Sequence, residues 1–254
     1  MLSDMTKKIQ LKVYRHIPGQ DNSPHYDAFN VPVERWTTVL DALLHAKAYE
    51  DHSIAIRYSC RMASCGSCGM MINGIPRLAC YTKISELDTD TVTCAPLANY
   101  PVVRDLVPNF STFFQHHKDM KPYIMNDIET DDKAKEFLQS PEELDKYLQF
   151  SYCIKCGLCY AACPVVATDK KFPGPQALAQ MYRYFADNRD QATDERLKIV
   201  DDRHGMWRCH FAGSCSKVCP KGVDPALGIQ LLRGYMMGFS KKEKKEPKLV
   251  RTKT

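Results

Sequence analysis

Over its first hundred residues the chain alternates. Ile9, Leu11 and Val13 are separated by polar residues, as are Phe29, Val31 and Val33, which is the two-residue period of strands with one buried face. Val39, Leu40, Leu43, Leu44 and Ala46 instead recur at helical spacing behind Thr37 and Thr38, either of which can cap a helix. Ile54 and Ile56 predict a further strand, and Thr91–Thr93 a last one. Between them Met70 to Leu78 reads as a hairpin turning at Asn73-Gly74, in which Pro76 requires an edge or a bulge. That hairpin sets Cys68 opposite Ala79 and so delivers Cys80 beside Cys68. From about Tyr100 to Ser140 the pattern weakens, and Pro101, Pro108 and Pro122 mark a domain junction. Helices follow. Ser140-Pro141-Glu142-Glu143 combines an N-cap serine, a proline at the first helical position and a glutamate at the third. Gly174-Pro175 opens a helix over Gln176 to Asp187, and Asp224-Pro225 opens another through Ile229, Leu232 and Arg233 towards Met237.

The 254 residues, 44% hydrophobic and 26% charged, suffice for two domains that each bury an ordinary core. We expect them at 1–105 and 106–240, with a basic tail over 241–254. The tail, KKEKKEPKLVRTKT, carries the whole net charge of +5, because the other residues balance. This does not suggest nucleic acid. It reads as a solvated end, or as a segment attracted to an anionic membrane surface. No apolar run is long enough to span a membrane. The N-terminus, MLSDMTKKIQ, has no secretory pattern, so twelve cysteines are not expected to be a disulfide framework.

The cysteines carry the chemistry. Cys60-x4-Cys65-x2-Cys68 with Cys80 has the plant-type [2Fe–2S] spacing, and Gly66, Ser67 and Gly69 let that loop turn backbone N–H groups towards the sulfurs. Cys153, Cys156, Cys159 and Cys163-Pro164 form the bacterial ferredoxin run, whose fourth cysteine serves a second cluster. Cys209, Cys215 and Cys219-Pro220 repeat it with Ala212 in the second slot. Crossing the ligands assigns Cys153, Cys156, Cys159 and Cys219 to a [4Fe–4S] cluster. Cys163, Cys209 and Cys215 remain for a three-thiolate site suited to [3Fe–4S]; an open [4Fe–4S] with a non-cysteine ligand is the rival there. Structural zinc fits four thiolates but not this crowding. Cys94 belongs to no set and reads as a small buried hydrophobe, and Trp207 as core packing. Neither G-x-G-x-x-G nor G-x4-G-K-[ST] occurs, so two-electron substrate chemistry falls to another subunit.

The segments SCRMASCGSCGMMINGIPRLAC (Ser59–Cys80), YCIKCGLCYAACP (Tyr152–Pro164), FPGPQALAQMYRY (Phe172–Tyr184) and CSKVCPKGVDP (Cys215–Pro225) resemble the iron–sulfur subunits of succinate dehydrogenase and fumarate reductase, over roughly residues 9 to 238. The resemblance implies an α+β chain: an N-terminal β-grasp plant-type [2Fe–2S] ferredoxin domain, then an all-α bacterial-type dicluster ferredoxin domain. It implies electron relay between a flavoprotein with covalent FAD and a quinone at a membrane anchor, with or without haem b, peripheral on the inner face of the cell membrane. By position, Pro164, His210 and Arg233 line the quinone pocket. His210 has the alternative of packing beside the cluster, and Arg233 that of a helix-surface cation. Val165, Val166, Ala167 and Thr168 stand where many ubiquinone-using relatives carry tryptophan, which leans towards menaquinone and fumarate reduction. A freely diffusing ferredoxin-like carrier, or an iron–sulfur subunit of another flavoenzyme, are the competing readings. The neutral body speaks against the first and Ala212 against the second.

Overall fold

A computed structural model of the chain describes residues 7–126, 135–239 and 248–251, and divides into two compact units. The first comprises the chain to Ser111 together with Ile154–Ala162, and the second Thr112–Cys153 with the remainder from Cys163. Nine residues of the second cysteine run, Ile154–Ala162, thus belong to the first unit.

In the first unit β1 (Lys7–Arg15), β2 (His25–Val33), β3 (Gly69–Ile72), β4 (Ile75–Leu78) and β5 (Thr91–Ala95) form a mixed sheet in the order β2-β1-β5-β3-β4. Only β1 and β5 run parallel; the other pairs are antiparallel. Alternation has its expected cause: Ile9, Leu11, Val13, Val31 and Val33 point into the core, each apolar side chain stabilising by about 1.5–3 kcal/mol when fully buried. α1 (Val39–Tyr49) starts at a capping box, Thr38 Oγ1 accepting from Asp41 N while the Asp41 carboxylate accepts from Thr38 N. It buries Val39, Leu40, Ala42, Leu43 and Ala46. Cys94, in β5, is wholly buried, and burial pushes its thiol up to about 12.

Ile54–Ile56 is not a strand. The reason lies fifty residues away: buried Asp105 accepts from Ala55 N (2.9 Å) and His16 N (3.1 Å), and Leu106 N donates to Ala55 O (3.3 Å). The backbone groups a sheet neighbour would have used are already taken.

The second unit is mostly helical. Ser140 caps Pro141–Asp145 with a capping box, and Asp224 caps Pro225–Met236 by accepting from Leu227 N. The Pro225–Met236 helix packs on Pro175–Phe185. Gly228 stands against Phe150 of Leu148–Ser151, where a Cβ would come within 2.9 Å of the ring. Fully buried Arg196 forms a two-point pair with Asp190 and donates to the carbonyls of Lys121 and Tyr123, so neither buried charge lacks a partner. Lys135–Leu138 pairs antiparallel with Lys248–Arg251. That stretch of the basic tail is thus a strand rather than a free end. Among the described residues no helix is long and apolar enough to cross a membrane.

Candidate metal centres

The first cysteine loop lies between Tyr58 and β3. Its backbone enters the left-handed region at Arg61 (φ 57°), Ala63 (56°) and Gly66 (76°), which costs roughly 1–2 kcal/mol for each non-glycine residue. The loop thereby turns its N–H groups inward. Met62, Ser64 and Cys65 donate to Cys60 Sγ at 3.4, 3.2 and 3.2 Å, and Ala63 donates to Cys80 Sγ at 3.4 Å. The hairpin returns Cys80 as its register requires: Ala79 N bonds Cys68 O (3.1 Å) and Cys80 N bonds Cys68 Sγ (3.5 Å). Cys68 and Cys80 are buried, Cys60 half-buried and Cys65 exposed. Burial pushes the Cys68 thiol up to about 12, whereas the Ser67 hydroxyl, 3.0 Å from Cys65 Sγ, helps bring Cys65 down to about 6. Four thiols met by at least five backbone donors suit a metal–sulfur group, because N–H···S bonds strengthen once the sulfurs are anionic.

The second run begins in one unit and continues in the other. Cys156 and Cys159 belong to the first. Lys155 (φ 54°) and Gly157 (φ 80°) are left-handed on either side of Cys156, and Gly157 caps the Leu158–Ala161 helix. Tyr100 Oη donates to Gly157 O (3.0 Å), and Asn99 Nδ2 donates to both Tyr160 O and Ala161 O (3.0 Å each). A Cβ on Gly66 would fall 2.6 Å from Cys156 Cβ, so the two cysteine loops of this unit touch there. Cys153 and Cys219 belong to the second unit, where both pack against the cluster of Tyr147, Phe150 and Val223.

The third set stands in the second unit. Cys163, Cys209 and Cys215 line one pocket together with Pro164, His210 and Ala212. Cys163 and Cys215 are buried and Cys209 half-buried, while Pro164, His210 and Ala212 are exposed. Burial pushes the Cys163 thiol up and Cys215 up to about 11, with the neighbouring thiols adding to both. Two buried thiols that resist ionising, with the Cys209 sulfur lining the same pocket, suit a cation that would deprotonate them. Phe211 N donates to Cys209 Sγ (3.4 Å).

Arg233 is not among the residues that line this pocket. Its guanidinium donates to Met206 O (3.0 and 2.6 Å) and Cys209 O (2.7 Å). Trp207 is 40% exposed rather than core, with its indole N–H on Asp201 (2.6 Å) and Arg233 over its face. Asp169 accepts from His204 (2.7 Å) and Arg208 (3.2 Å), and these bonds, His204's foremost, hold its carboxyl below the usual range. Asn99, Tyr100 and Asp169 carry no sequence signal, since their partners lie tens of residues away.

Two family models match the chain: a 2Fe-2S iron-sulfur cluster binding domain over residues 10–115 and a 4Fe-4S dicluster domain over 149–223. The fumarate reductase iron-sulfur subunit of Escherichia coli O157:H7 is 43% identical over 224 residues, covering 88% of this chain and 91% of that protein. The subunit of the same name from Mycobacterium tuberculosis is 43% identical over 226 residues, 89% and 92% of the two chains. The succinate dehydrogenase iron-sulfur subunit of Paracoccus denitrificans is 36% identical over 230 residues, 90% and 88%. Among solved structures, a chain of the Mycobacterium smegmatis Sdh1 complex in the apo form superposes with a TM-score of 0.83 at 26% identity, over 92% of this chain and 97% of that one.

Proposed function

The chain belongs to the iron–sulfur subunits of fumarate reductase and succinate dehydrogenase and is an electron-transfer subunit of such an oxidoreductase, and from that premise we propose how its residues divide the relay. Cys60, Cys65, Cys68 and Cys80 hold [2Fe–2S]. Cys153, Cys156, Cys159 and Cys219 hold [4Fe–4S], and Cys163, Cys209 and Cys215 hold [3Fe–4S]. These groups supply one-electron redox chemistry; the polypeptide orients them, tunes them and excludes water. In the first loop the N–H groups on Cys60 and Cys80 favour the more negative, reduced state and raise its potential.

The observation that carries the three-iron assignment is Ala212. It follows left-handed Phe211 and precedes left-handed Gly213, as Cys156 follows Lys155 and precedes Gly157. The slot has the backbone of a ligand position and no ligating atom. Partners follow from the family: a flavoprotein with covalent FAD, where the dicarboxylate reaction occurs, and a membrane anchor, with or without haem b, on the inner face of the membrane. Quinone, read as menaquinone from Val165–Thr168, meets the chain near Pro164 and exposed His210. EPR of the oxidised intact complex tests the ligand set: a three-iron signal is expected, and its complete absence would overturn the assignment. Extraction of quinone from the purified complex tests the other end, with ubiquinone alone contradicting the menaquinone reading.

A further inference from the structure

Two sets of metal ligands come close only where no side chain stands between their backbones, and Gly66 and Gly69 flank Cys68 in the first cysteine loop. Gly66 is left-handed (φ 76°), Gly69 N donates to Gly66 O (3.2 Å), and Cys68 between them is buried. Both glycines abut Cys156, which belongs to the second cysteine run but to the same unit. A Cβ on Gly66 would fall 2.6 Å from Cys156 Cβ and 2.9 Å from its Cα. One on Gly69 would fall 3.3 Å from Cys156 O and 3.2 Å from Leu158 Cδ2. Other partners hold the Cys156 loop in place: Tyr100 Oη donates to Gly157 O (3.0 Å), and a Cβ on Gly157 would stand 2.5 Å from the Phe110 ring. The fold thus lays a ligand of the second centre directly on the backbone that carries a ligand of the first.

We propose that Gly66 and Gly69 are positioning residues for electron passage between the first two centres: they form the seat in which Cys156 rests beside Cys68, and so set the gap the electron crosses. This rests on the reading of Cys60, Cys65, Cys68 and Cys80, and of Cys153, Cys156, Cys159 and Cys219, as two iron–sulfur sites. The step moves one electron; one site is oxidised as the other is reduced, and no bond forms or breaks. Its rate falls steeply as the gap widens, because tunnelling decays exponentially with distance. Carbon atoms pack at about 3.5–4.0 Å, so a methyl on Gly66 forces the two loops apart by about 1 Å. Gly74, at the tip of the neighbouring hairpin, is the contrast: its φ of 77° matches that of Gly66, but nothing lies within 4 Å of where its Cβ would go.

The test is EPR of the fully reduced intact complex, in which the second centre, once paramagnetic, speeds the spin relaxation of the first to a degree that falls with their separation. The native protein is compared with Gly66→Ala, Gly69→Ala and Gly74→Ala. Gly66→Ala is expected to keep both signals and lose much of that relaxation enhancement; Gly69→Ala, whose contacts are looser, should lose less. Gly74→Ala carries the same left-handed cost without the contact and should relax as the native complex does. Native enhancement in Gly66→Ala with both signals present would overturn the proposal. An equal loss in Gly74→Ala would overturn it too, by making backbone strain rather than the seat responsible. If Gly66→Ala fails to retain its iron, Gly69→Ala decides alone, and native enhancement there counts against the seat. A native complex lacking the [2Fe–2S] or the [4Fe–4S] signal would instead strike the ligand assignment under Proposed function, so the two failures are told apart.

Discussion

The chain runs the same course twice. From Cys153 it passes a left-handed residue (Lys155, φ 54°), the second slot, a left-handed glycine (Gly157, 80°), a four-residue helix and Cys163-Pro164. From Cys209 it passes Phe211 (55°), the second slot, Gly213 (71°), a four-residue helix and Cys219-Pro220. Even the helix ends agree: Ala162 N–H is shared between the carbonyls of Leu158 and Tyr160, and Val218 N–H between those of Ser214 and Ser216. The surroundings differ. Around the first copy Tyr100, Asn99 and Phe110 close in, and Gly66 packs against Cys156. Around the second, His210, Phe211 and Ala212 are exposed and Gly213 has open space where a Cβ would go. Backbone geometry here follows from local chemistry, while enclosure is set by whatever packs on it. The copy with no ligating side chain in its second slot is also the more open one.

The sharpest way to break the comparison is to exchange the second slots. Ala212→Cys should remove the three-iron EPR signal of the oxidised complex and raise iron content by about one atom per chain. Cys156→Ala should degrade the four-iron signal. If iron analysis and EPR are native in both, equal backbones do not mean equal slots. Next in size is the glycine pair. Gly157→Ala combines the left-handed penalty, roughly 1–2 kcal/mol, with overpacking of about 1–3 kcal/mol, because its Cβ would sit 2.5 Å from the Phe110 ring and 2.6 Å from Tyr100 Oη. Gly213→Ala meets nothing and carries the first cost alone. Thermal loss of visible cluster absorbance should rank the variants in that order; equal shifts would refute the difference in enclosure.

Asn99→Ala strips two carbonyls at the end of the Leu158–Ala161 helix of their side-chain donor. The expected cost is about 1–3 kcal/mol, read in the same melt, with no shift of the three-iron potential. Smallest is Trp207→Phe, which keeps a ring under Arg233 but loses the bond to Asp201. A change on the order of 0.5–1 kcal/mol is expected there, and a larger one would mean the exposed ring does more for the Cys209 loop than stack.

Much of this was legible in residues close together in the chain. Cysteine spacing, the Asn73-Gly74 turn that returns Cys80, the Ser140 cap and the alternation around Leu11 each depend on neighbours within a few positions, where bond geometry limits the outcomes. Ile54–Ile56 misled for the opposite reason: its alternation is that of a strand, but Asp105 takes the Ala55 N–H. Trp207 misled likewise, since an indole beside a ligand cysteine looks like core until Asp201 and Arg233 are seen to hold it at the surface.

By itself, then, the sequence determined which side chains can ligate metal, how many each set contains and that one slot is blank, because these are properties of composition and short-range spacing. Tertiary structure decided that Ile154–Ala162 packs with the N-terminal unit, that Pro164, His210 and Ala212 share a pocket with Cys163, Cys209 and Cys215, and that Arg233 grips the carbonyl of Cys209. Those outcomes rest on partners 24 to more than 60 residues apart, chosen by competition for burial and for hydrogen bonds across the whole chain.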